Sequence, residues 1–433
     1  MNKQQTDKTF WWADTYQMEQ QLTPVVARME QSGIKINVSM LQNMGNELLQ
    51  IKSDLEQAIH QIIGTTVNIN SNEQLSVALF EQLQLKPQIT TKNKKGLFPV
   101  DKKHLNKIKQ QHQIIQLLLD YRKSNSLLKF VGQLSDVHPK TKRIHAGFHQ
   151  IGTATGRFSS SRPNLQNIPN VKLDADETNP LKILESKFRE VVIPAKGKIF
   201  ICADYSQIEL RITAVYSQDP FLLDAYHNGL DIHTLTASQV YDSSLESITD
   251  QQRKVAKSIN FGLIYGMTSV GLAESLTQVT GKVHSKEEAE KLMTTYFNRF
   301  SKVKQCLDDL IKQAEENGFS TALFGRRRPI PQLRSNKLSE RKSGKRIAMN
   351  SPIQGTAADI IKKAMIKLDN EIIQKQLKAK IVLQVHDEIL VECPKDEAHQ
   401  VEKLVKETME NVVKLTVPLE VGLEKGSNWA MAH

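Results

Sequence analysis

Two aspartates that lie far apart in the chain could together support metal-assisted phosphoryl chemistry. Asp204 opens the string DYSQIELRI, and Asp387 lies within QVHDEILVE. Apolar runs flank both strings, so strands could deliver the two carboxylates to one place. Neighbouring carboxylates repel each other unless cations lie between them, and two Mg²⁺ ions would satisfy both. For either aspartate alone, a strand cap or a turn residue is the alternative interpretation.

Between these strings lies a basic helix, RKVAKSINFGLIYG (253–266). Its Arg253, Lys257, Phe261 and Tyr265 recur every four residues and therefore form one ridge. Cations at one end suit a triphosphate, and aromatic rings at the other suit a base and a sugar. An ordinary amphipathic helix would carry apolar residues along the whole ridge, so the pattern favours a nucleotide site.

Other polar residues fit the same chemistry less specifically. His233, in DIHT, could donate to a phosphate, although a lone histidine is more often structural. Arg346, Asn350 and Gln354 are again four apart, and long polar donors suit the acceptors of a DNA minor groove. A solvated polar face is the alternative. The string FGRRRPIP (324–331) is predicted to be a basic loop that contacts a nucleic-acid backbone.

The composition is consistent with a polyanionic partner. The chain has 433 residues, and Lys plus Arg exceed Asp plus Glu by 11, which favours phosphate contacts but also fits any basic protein. Three scattered cysteines without CxxC spacing indicate neither a zinc site nor a disulfide framework. The N-terminus lacks the apolar core of a signal peptide, and no apolar run is long enough to span a membrane.

The coarse pattern predicts helices around a few buried strands. Residues 38–135 read as helical, with Ser71 and Gln74 forming a capping box before a helix at 75–83. A basic, irregular stretch at 90–103 interrupts them, and residues 213–375 are again mainly helical. Strands are predicted at 198–203, 381–385, 389–393 and 419–423, with His386 and Asp387 at a hairpin tip. Phe10, Trp11 and Trp12 are predicted to dock on the body of the protein.

Seven motifs in a fixed order resemble the polymerase module of family A DNA polymerases, the class of bacterial DNA polymerase I. They are TATGRFSSSRPNLQNIP, DYSQIELR, DIHT, RKVAKSINFGLIYG, FGRRRPIPQL, NSPIQGTAADI and QVHDE, and the match runs over about 22–429. The resemblance implies a mixed α/β, right-hand polymerase fold with an antiparallel-sheet palm, helical fingers and a helical thumb. The implied divisions are an N-terminal segment leading into the palm (1–35), thumb (36–136), palm (137–212), fingers (213–374) and palm again (375–433).

The resemblance also implies a role for each site residue. Asp204, Asp387 and the main-chain carbonyl of Tyr205 would bind two Mg²⁺ ions, for which Mn²⁺ can substitute. The implied catalytic residues are Asp204, Asp387 and Lys257, with Lys257 protonating the pyrophosphate. The implied nucleotide-binding residues are Gln207, Glu209, His233, Arg253, Lys257, Phe261 and Tyr265. Glu209, hydrogen-bonded to Tyr265, would exclude a ribose 2′-hydroxyl. The implied DNA-binding residues are Arg157, Asn164, Gln166, Arg346, Asn350, Gln354 and His386.

The expected partners are primer–template DNA and dNTPs, bound by a monomer in the cytoplasm of a bacterial or phage-infected cell, without a membrane. The chain begins almost where the polymerase module begins, so no proofreading exonuclease or 5′-nuclease activity is expected. Val171 stands where the family has an arginine, with Lys172 as a possible replacement. The stretch to Asp204 is about ten residues longer than usual, as insertions in surface loops are. Altered thumb residues, YRKSNSLLK (121–129), predict a weak grip on duplex DNA.

Two competing functions remain. A single-subunit RNA polymerase has related motifs but a small residue where this chain has Glu209. A DNA-binding accessory factor without activity would have no need of Asp204, Lys257 and Asp387 together.

Overall fold

Helices make up most of the described residues, and the described strands of six or more residues all belong to one central sheet. The computed structural model describes residues 13–88, 92–173 and 176–433, so the predicted docking of Phe10, Trp11 and Trp12 lies outside the described residues. The helices are α1 (Ala13–Ser32), α2 (Val38–Ile63), α3 (Asn72–Val77), α4 (Lys102–Lys107), α5 (Ile114–Leu134), α6 (Pro180–Ser186), α7 (Ile208–Ser217), α8 (Pro220–His227), α9 (Ile232–Tyr241), α10 (Asp250–Ile264), α11 (Ser269–Thr280), α12 (Lys286–Arg299), α13 (Ser301–Asn317), α14 (Leu338–Gln374) and α15 (Ala398–Glu410). The strands are β1 (Ile34–Ile36), β2 (Arg143–Ile144), β3 (Gly147–His149), β4 (Ser159–Ser161), β5 (Val192–Ile193), β6 (Lys198–Tyr205), β7 (Phe319–Thr321), β8 (Arg327–Pro329), β9 (Lys380–Val385), β10 (Glu388–Pro394) and β11 (Val421–Gly426).

The central sheet joins distant parts of the chain in the antiparallel order β11–β6–β10–β9. Every residue of β10 from Glu388 to Cys393 is buried, so both faces of this strand are covered. A strand covered on both faces reads as a near-continuous apolar run, which is why the sequence pattern located it. The predicted hairpin is confirmed, because β9 and β10 are joined by the two residues His386 and Asp387.

The last strand and one helix start differ from the sequence-based predictions. The final strand is Val421–Gly426, not 419–423, because its ladder with β6 begins opposite Tyr205, the last residue of that strand. Ser71 does cap α3 by accepting from Gln74 N–H. The Gln74 side chain accepts from Asn68 N–H instead of returning to Ser71, so the capping box is only half formed. The helix itself ends early and continues as a π-helical turn.

Helices α2 and α5 form a long pair that carries its own small core. Buried side chains of residues 59–121 pack there as a cluster separate from the main core, and they are Ile59, Ile69, Leu75, Leu79, Val100, Leu105, Ile108, Ile114, Ile115, Leu118 and Tyr121. The unusually long stretch before Asp204 is not only a surface loop, since α6 lies within it and Glu185 pairs with Lys123 of α5. In the described ranges, no helix is both long and apolar enough to cross a membrane.

A buried cluster of charges fastens α1 to the long helix α14. Lys362 is fully buried, and its Nζ donates to Glu19 Oε1 at 2.6 Å and to the Gln150 carbonyl at 2.7 Å. Arg326 bridges Glu19 and Asp359 through charge-assisted hydrogen bonds. Therefore FGRRRPIP is not simply the predicted basic loop: part of it forms β8, and Arg326 is directed inward.

Lys362→Met should destabilise the protein by about 3–5 kcal/mol, because the Gln150 carbonyl loses its buried donor and Glu19 loses one of its two cations, keeping only Arg326. Urea unfolding followed by tryptophan fluorescence measures the loss. Lys367, exposed on the same helix, provides the control, and Lys367→Met should stay within about 0.5 kcal/mol of the wild type. Equal unfolding midpoints for the two variants would contradict a structural role of the cluster.

Candidate active site

The two predicted metal-binding aspartates meet at one end of the central sheet. Asp204 lies near the end of β6 and is paired in register with Glu388 of β10, the residue that follows Asp387. Tyr205 N–H donates to the Asp387 carbonyl at 3.2 Å, which ties the hairpin turn to β6. Both carboxylates line a cleft of about 540 Å³.

The acidic pair, Asp204 and Asp387, is costly to ionise in this setting. Burial, together with the negative charges of Asp387 and Glu388, raises the pKa of Asp204 to about 7. Burial also raises the pKa of Asp387. Two half-buried carboxylates whose charged forms are disfavoured suit divalent cations, and carboxylate oxygens are the ligands that Mg²⁺ prefers. The donor set therefore fits the predicted metals.

Glu388, although it neighbours the acidic pair, is held away from the cleft by a cage of donors that the sequence analysis missed. Arg189 pairs with it at 3.1 Å, Cys202 Sγ donates to it at 2.9 Å, and Trp429 Nε1 and His433 also contact it. Burial would raise the pKa of Glu388, but these donors, His433 and Arg189 first, lower it to about 2. The sequence signal for Glu388 was its position next to Asp387 in the motif HDE.

Cys202, Glu388 and His433 bring their ligand atoms within 4.8 Å of one another, yet they do not form a plausible metal site. Burial and the charge of Glu388 raise the pKa of the Cys202 thiol. Metals bind the thiolate, whereas here the thiol keeps its proton and donates a hydrogen bond to Glu388.

The ridge of helix α10 forms the opposite wall of the cleft. Arg253, Lys257, Phe261 and Tyr265 all line it, as their four-residue spacing predicted. The rings of Phe261 and Tyr265 are stacked, with centroids 6.3 Å apart. The predicted helix of 253–266 included Tyr265. The observed helix α10 ends at Ile264, and Tyr265 is its C-cap residue.

Arg253 is held by Asp231, a partner that the sequence analysis did not identify. The guanidinium donates to both carboxylate oxygens, at 3.1 and 2.8 Å. Asp231 also caps α9 by accepting from Thr234 N–H at 2.7 Å. Burial would raise the pKa of Asp231, but the hydrogen bonds from Arg253 and Thr234 lower it to about 2. Arg253 is thus already oriented towards the cleft without a nucleotide.

His233 lies behind this ridge on α9. It is buried but lines the cleft, and its ring centroid is 5.7 Å from that of Phe261. Burial lowers the pKa of His233 to about 4, and the charges of Arg253 and Lys257 act in the same direction against Asp231. The imidazole is therefore neutral at neutral pH.

Glu209 has a different partner from the one predicted. It forms an ion pair with Arg157, and its Oε2 accepts no hydrogen bond from any described residue. The predicted hydrogen bond with Tyr265 is absent from this structure, in which Arg157 takes Oε1 and leaves Oε2 free of described donors. Gln207 begins α7 with a left-handed backbone, and its buried Oε1 also has no partner among the described residues.

Two of the predicted DNA-binding residues make internal contacts instead of lining the cleft. Gln166 Nε2 donates to the Gln384 carbonyl at 2.8 Å, while its Oε1 accepts from His386 N–H at 3.3 Å. Asn164 caps the short turn that carries Gln166, accepting from its N–H at 3.2 Å. Gln166 therefore braces the turn that carries Asp387, a role that its motif did not suggest.

The other predicted DNA-binding residues fall into two groups. Arg157 and His386 line the cleft. Arg346, Asn350 and Gln354 do not, and they lie along α14, where Asn350 Nδ2 donates to the Tyr265 carbonyl at 3.4 Å. Asn350 Oδ1 is buried and has no partner within the described part of the chain. This face of α14 thus continues from the aromatic end of the ridge.

The raised pKa of Asp204 makes the stability of the metal-free protein depend on pH. The folded value is about 7 against an ordinary 3.8. The protonated form favours folding, so its contribution is complete below about pH 4 and is lost as the pH rises through about 7. Asp204→Asn should therefore stabilise the protein at about pH 8 by on the order of 1–4 kcal/mol, since one pKa unit is worth about 1.4 kcal/mol.

Urea unfolding in buffer that contains a chelator, at about pH 4 and about pH 8, measures the difference in free energy of unfolding between Asp204→Asn and the wild type. The exposed Asp396 supplies the control, and Asp396→Asn should match the wild type at both values. A Mg²⁺-induced rise in the unfolding midpoint is expected for the wild type and not for Asp204→Asn. A destabilised Asp204→Asn at the higher pH would contradict the assigned shift.

The chain is similar in sequence to several bacterial proteins named DNA polymerase I. The chain is 43% identical to DNA polymerase I of Caldicellulosiruptor bescii over 414 residues, 95% of this chain and 46% of that protein. It is 39% identical to DNA polymerase I of Bacillus subtilis over 95% of this chain and 45% of that protein. It is 37% identical to the thermostable DNA polymerase I of Thermus aquaticus over 96% and 48%. The chain thus spans about half the length of the relatives it matches.

A solved structure shares the fold. The POL domain of Pol1 from M. smegmatis, in complex with DNA primer-template and dNTP, superposes with a TM-score of 0.86 at 37% identity, over 96% of this chain and 70% of that one. The predicted mixed α/β, right-hand polymerase fold is confirmed. The family profile of "DNA polymerase family A" matches residues 38–431. Because that match covers most of the chain, the protein belongs to DNA polymerase family A.

Proposed function

We propose that this protein is a DNA-directed DNA polymerase, which adds deoxynucleotides from dNTPs to the 3′-hydroxyl of a primer. The observation that carries the proposal is the cleft itself. Two half-buried carboxylates, Asp204 and Asp387, face the cations and aromatic rings of α10 across a cleft of about 540 Å³. A triphosphate, a sugar and a base, aligned along that ridge, would place the α-phosphate near the acidic pair.

The metal ligands in this proposal are Asp204, Asp387 and the main-chain carbonyl of Tyr205. When bound, two Mg²⁺ ions, or Mn²⁺ in their place, would make the primer hydroxyl more acidic and offset charge on the leaving pyrophosphate. The carboxylates supply hard oxygen ligands, and their mutual repulsion is relieved by the cations. The Glu388 cage prevents a third carboxylate from competing for the same ions.

The triphosphate is bound by the cationic end of α10 and by α9. Arg253, preoriented by Asp231, presents a planar fork to phosphate oxygens. Lys257 lies one turn farther along, where it can hold the β- and γ-phosphates and donate a proton to the pyrophosphate. His233, neutral and at the wall of the cleft, adds a hydrogen-bond donor without adding charge.

The base and the sugar are held by the aromatic end of the ridge. Phe261 packs on the incoming nucleotide, and Tyr265 lies beside the template position. Glu209 bounds the sugar from the opposite wall, where its bulk opposes a 2′-hydroxyl and argues against a ribonucleotide polymerase. The unpartnered Gln207 Oε1 is an acceptor that a bound nucleotide or its water can satisfy.

Primer–template DNA is the proposed macromolecular partner. Arg157 and His386 contact its minor groove near the primer end, and Arg346, Asn350 and Gln354 continue that contact along α14. Asn164 and Gln166 act mainly by fixing the turn beside it. The related POL domain was solved with DNA primer-template and dNTP, and the excess of 11 basic residues favours phosphate contacts.

The proposed palm, thumb and fingers correspond to groups of helices and strands described above. The central sheet unites strands from 137–212 and 375–433, which we assign to the palm, and 1–35 leads into it. Residues 36–136, of which 59–121 have a separate core, would form the thumb, and 213–374 would form the fingers. A monomer in the cytoplasm stays a prediction.

Asp387→Ala should lower primer extension by about a thousandfold or more, because metal-assisted charge stabilisation is worth several kcal/mol and each 1.4 kcal/mol is about tenfold in rate. Single-turnover extension of a labelled primer–template with Mg²⁺ measures the rate, and a filter-binding assay measures DNA affinity, which should change little. The exposed-site variant Asp396→Ala is the matched control. Normal extension by Asp387→Ala would rule out the proposed mechanism, and absence of extension by the wild type would rule out the activity.

Glu209→Ala should increase the use of ribonucleotides relative to deoxynucleotides by about tenfold or more, a difference of about 1.4 kcal/mol in transition-state binding. Glu209→Gln keeps the size of the side chain and removes its charge, so it should retain most of the discrimination. Extension with matched dNTP and rNTP series gives both ratios. If Glu209→Gln lost as much discrimination between dNTPs and rNTPs as Glu209→Ala, charge and not bulk would set sugar selection.

A further inference from the structure

We propose that Asn260 is a positioning residue that keeps the neutral His233 protonated on Nε2, so that this nitrogen can donate to a nucleotide phosphate. The inference rests on the proposed function and deepens it. Asn260 follows Ile259 on α10 and is 1% exposed, so it cannot reach the nucleotide. Its side-chain Nδ2 lies 3.0 Å from His233 Nδ1, across the interface between α9 and α10.

The orientation of the Asn260 amide follows from the third member of this chain of hydrogen bonds. Thr236 Oγ1 lies 3.0 Å from Asn260 Oδ1, and Thr236 is fully buried. In this orientation the threonine hydroxyl donates to Oδ1, and one N–H of the amide donates to His233 Nδ1. Were the amide reversed, the Thr236 proton would lack an acceptor among the described residues, and an unsatisfied buried donor is costly.

This arrangement decides which ring nitrogen carries the proton. A neutral imidazole has one N–H, and a nitrogen that accepts a hydrogen bond cannot be the protonated one. Because His233 Nδ1 accepts from Asn260, Nε2 bears the proton. The opposite tautomer would offer a lone pair to an anionic phosphate, which repels it.

The surroundings of His233 make the tautomer matter. Burial lowers the pKa of His233 to about 4. The charge of Asp231, at the start of α9, acts to raise this pKa, whereas the charges of Arg253 and Lys257 on α10 act to lower it. His233 therefore does not gain a second proton at neutral pH. Only the hydrogen bond at Nδ1 determines whether the side chain donates to a phosphate or opposes it.

A double-mutant cycle tests the coupling. His233→Ala and Asn260→Ala should each raise the apparent Kd for dNTP about tenfold in single-turnover extension, as expected for a hydrogen bond to a charged group. The double variant should match His233→Ala alone, since Asn260 acts through His233. Ser258→Ala, on the same helix, is the control and should behave like the wild type. Additive effects would overturn the proposal.

Asn260→Asp provides an isosteric variant that should fold even if Asn260→Ala does not. Its carboxylate would accept from Nδ1–H and raise the pKa of His233, so Nε2 would donate only while the ring is doubly protonated. The apparent Kd for dNTP should therefore rise with pH between about 6 and about 8 in this variant, as the ring loses its second proton. A pH profile parallel to that of the wild type would overturn the proposal.

The tautomer can also be read without activity. Long-range ¹H–¹⁵N correlation spectra of the ¹⁵N-histidine-labelled protein, with His233→Gln used to assign the signal, should show Nε2 protonated and Nδ1 as an acceptor. A protonated Nδ1 in the wild type would overturn this inference even if the enzyme extends primers. Absence of extension by the wild type, with the expected tautomer, would instead reject the proposed function.

Discussion

The pairing of β6 with β10 is the constraint on which the rest of the site depends. Asp204 and Glu388 occupy the same register position, and Asp387 follows directly from the hairpin turn. Directly opposite residues of an antiparallel ladder share a face, so Asp204 and Glu388 lie on the same face of the sheet, and a slip of one residue would move Asp387 and Glu388 away from their places beside Asp204. The ladder of β11 on the other side of β6 and the Gln166 brace at the turn both oppose such a slip.

The three carboxylates that this register brings together have two different environments. Glu388 is stabilised as an anion by Arg189, Trp429 and its other donors, whereas burial disfavours the anions of Asp204 and Asp387. A group whose charge is already compensated has little to gain from a cation. The two uncompensated carboxylates would gain most, so in the proposed site divalent cations would be drawn to Asp204 and Asp387, with which no described basic residue forms an ion pair.

The sequence predicted the parts of the site that depend on local spacing and missed those that depend on distant partners. The β9–β10 hairpin and the ridge of α10 follow from periodicity within about fifteen residues. Arg189 meets Glu388 across 199 positions, and Arg326 meets Glu19 across 307; no periodic pattern reports such pairs. The error at Glu209 has the same origin, because Arg157, its ion-pair partner, lies 52 positions away.

The proposed nucleotide-binding groups are arranged by α9 as much as by the helix that carries most of them. Asp231 caps α9 and orients Arg253, while Thr236 and Asn260 hold His233, two residues after Asp231. Each contact joins α9 to α10, so the two helices would move as one unit if the fingers close on a nucleotide. Closure of such a unit would carry the cation and the imidazole together, and Arg253 would then be shared between Asp231 and a phosphate. Ligand groups that are already oriented lose little entropy on binding, which is the physical advantage of holding them before the nucleotide arrives.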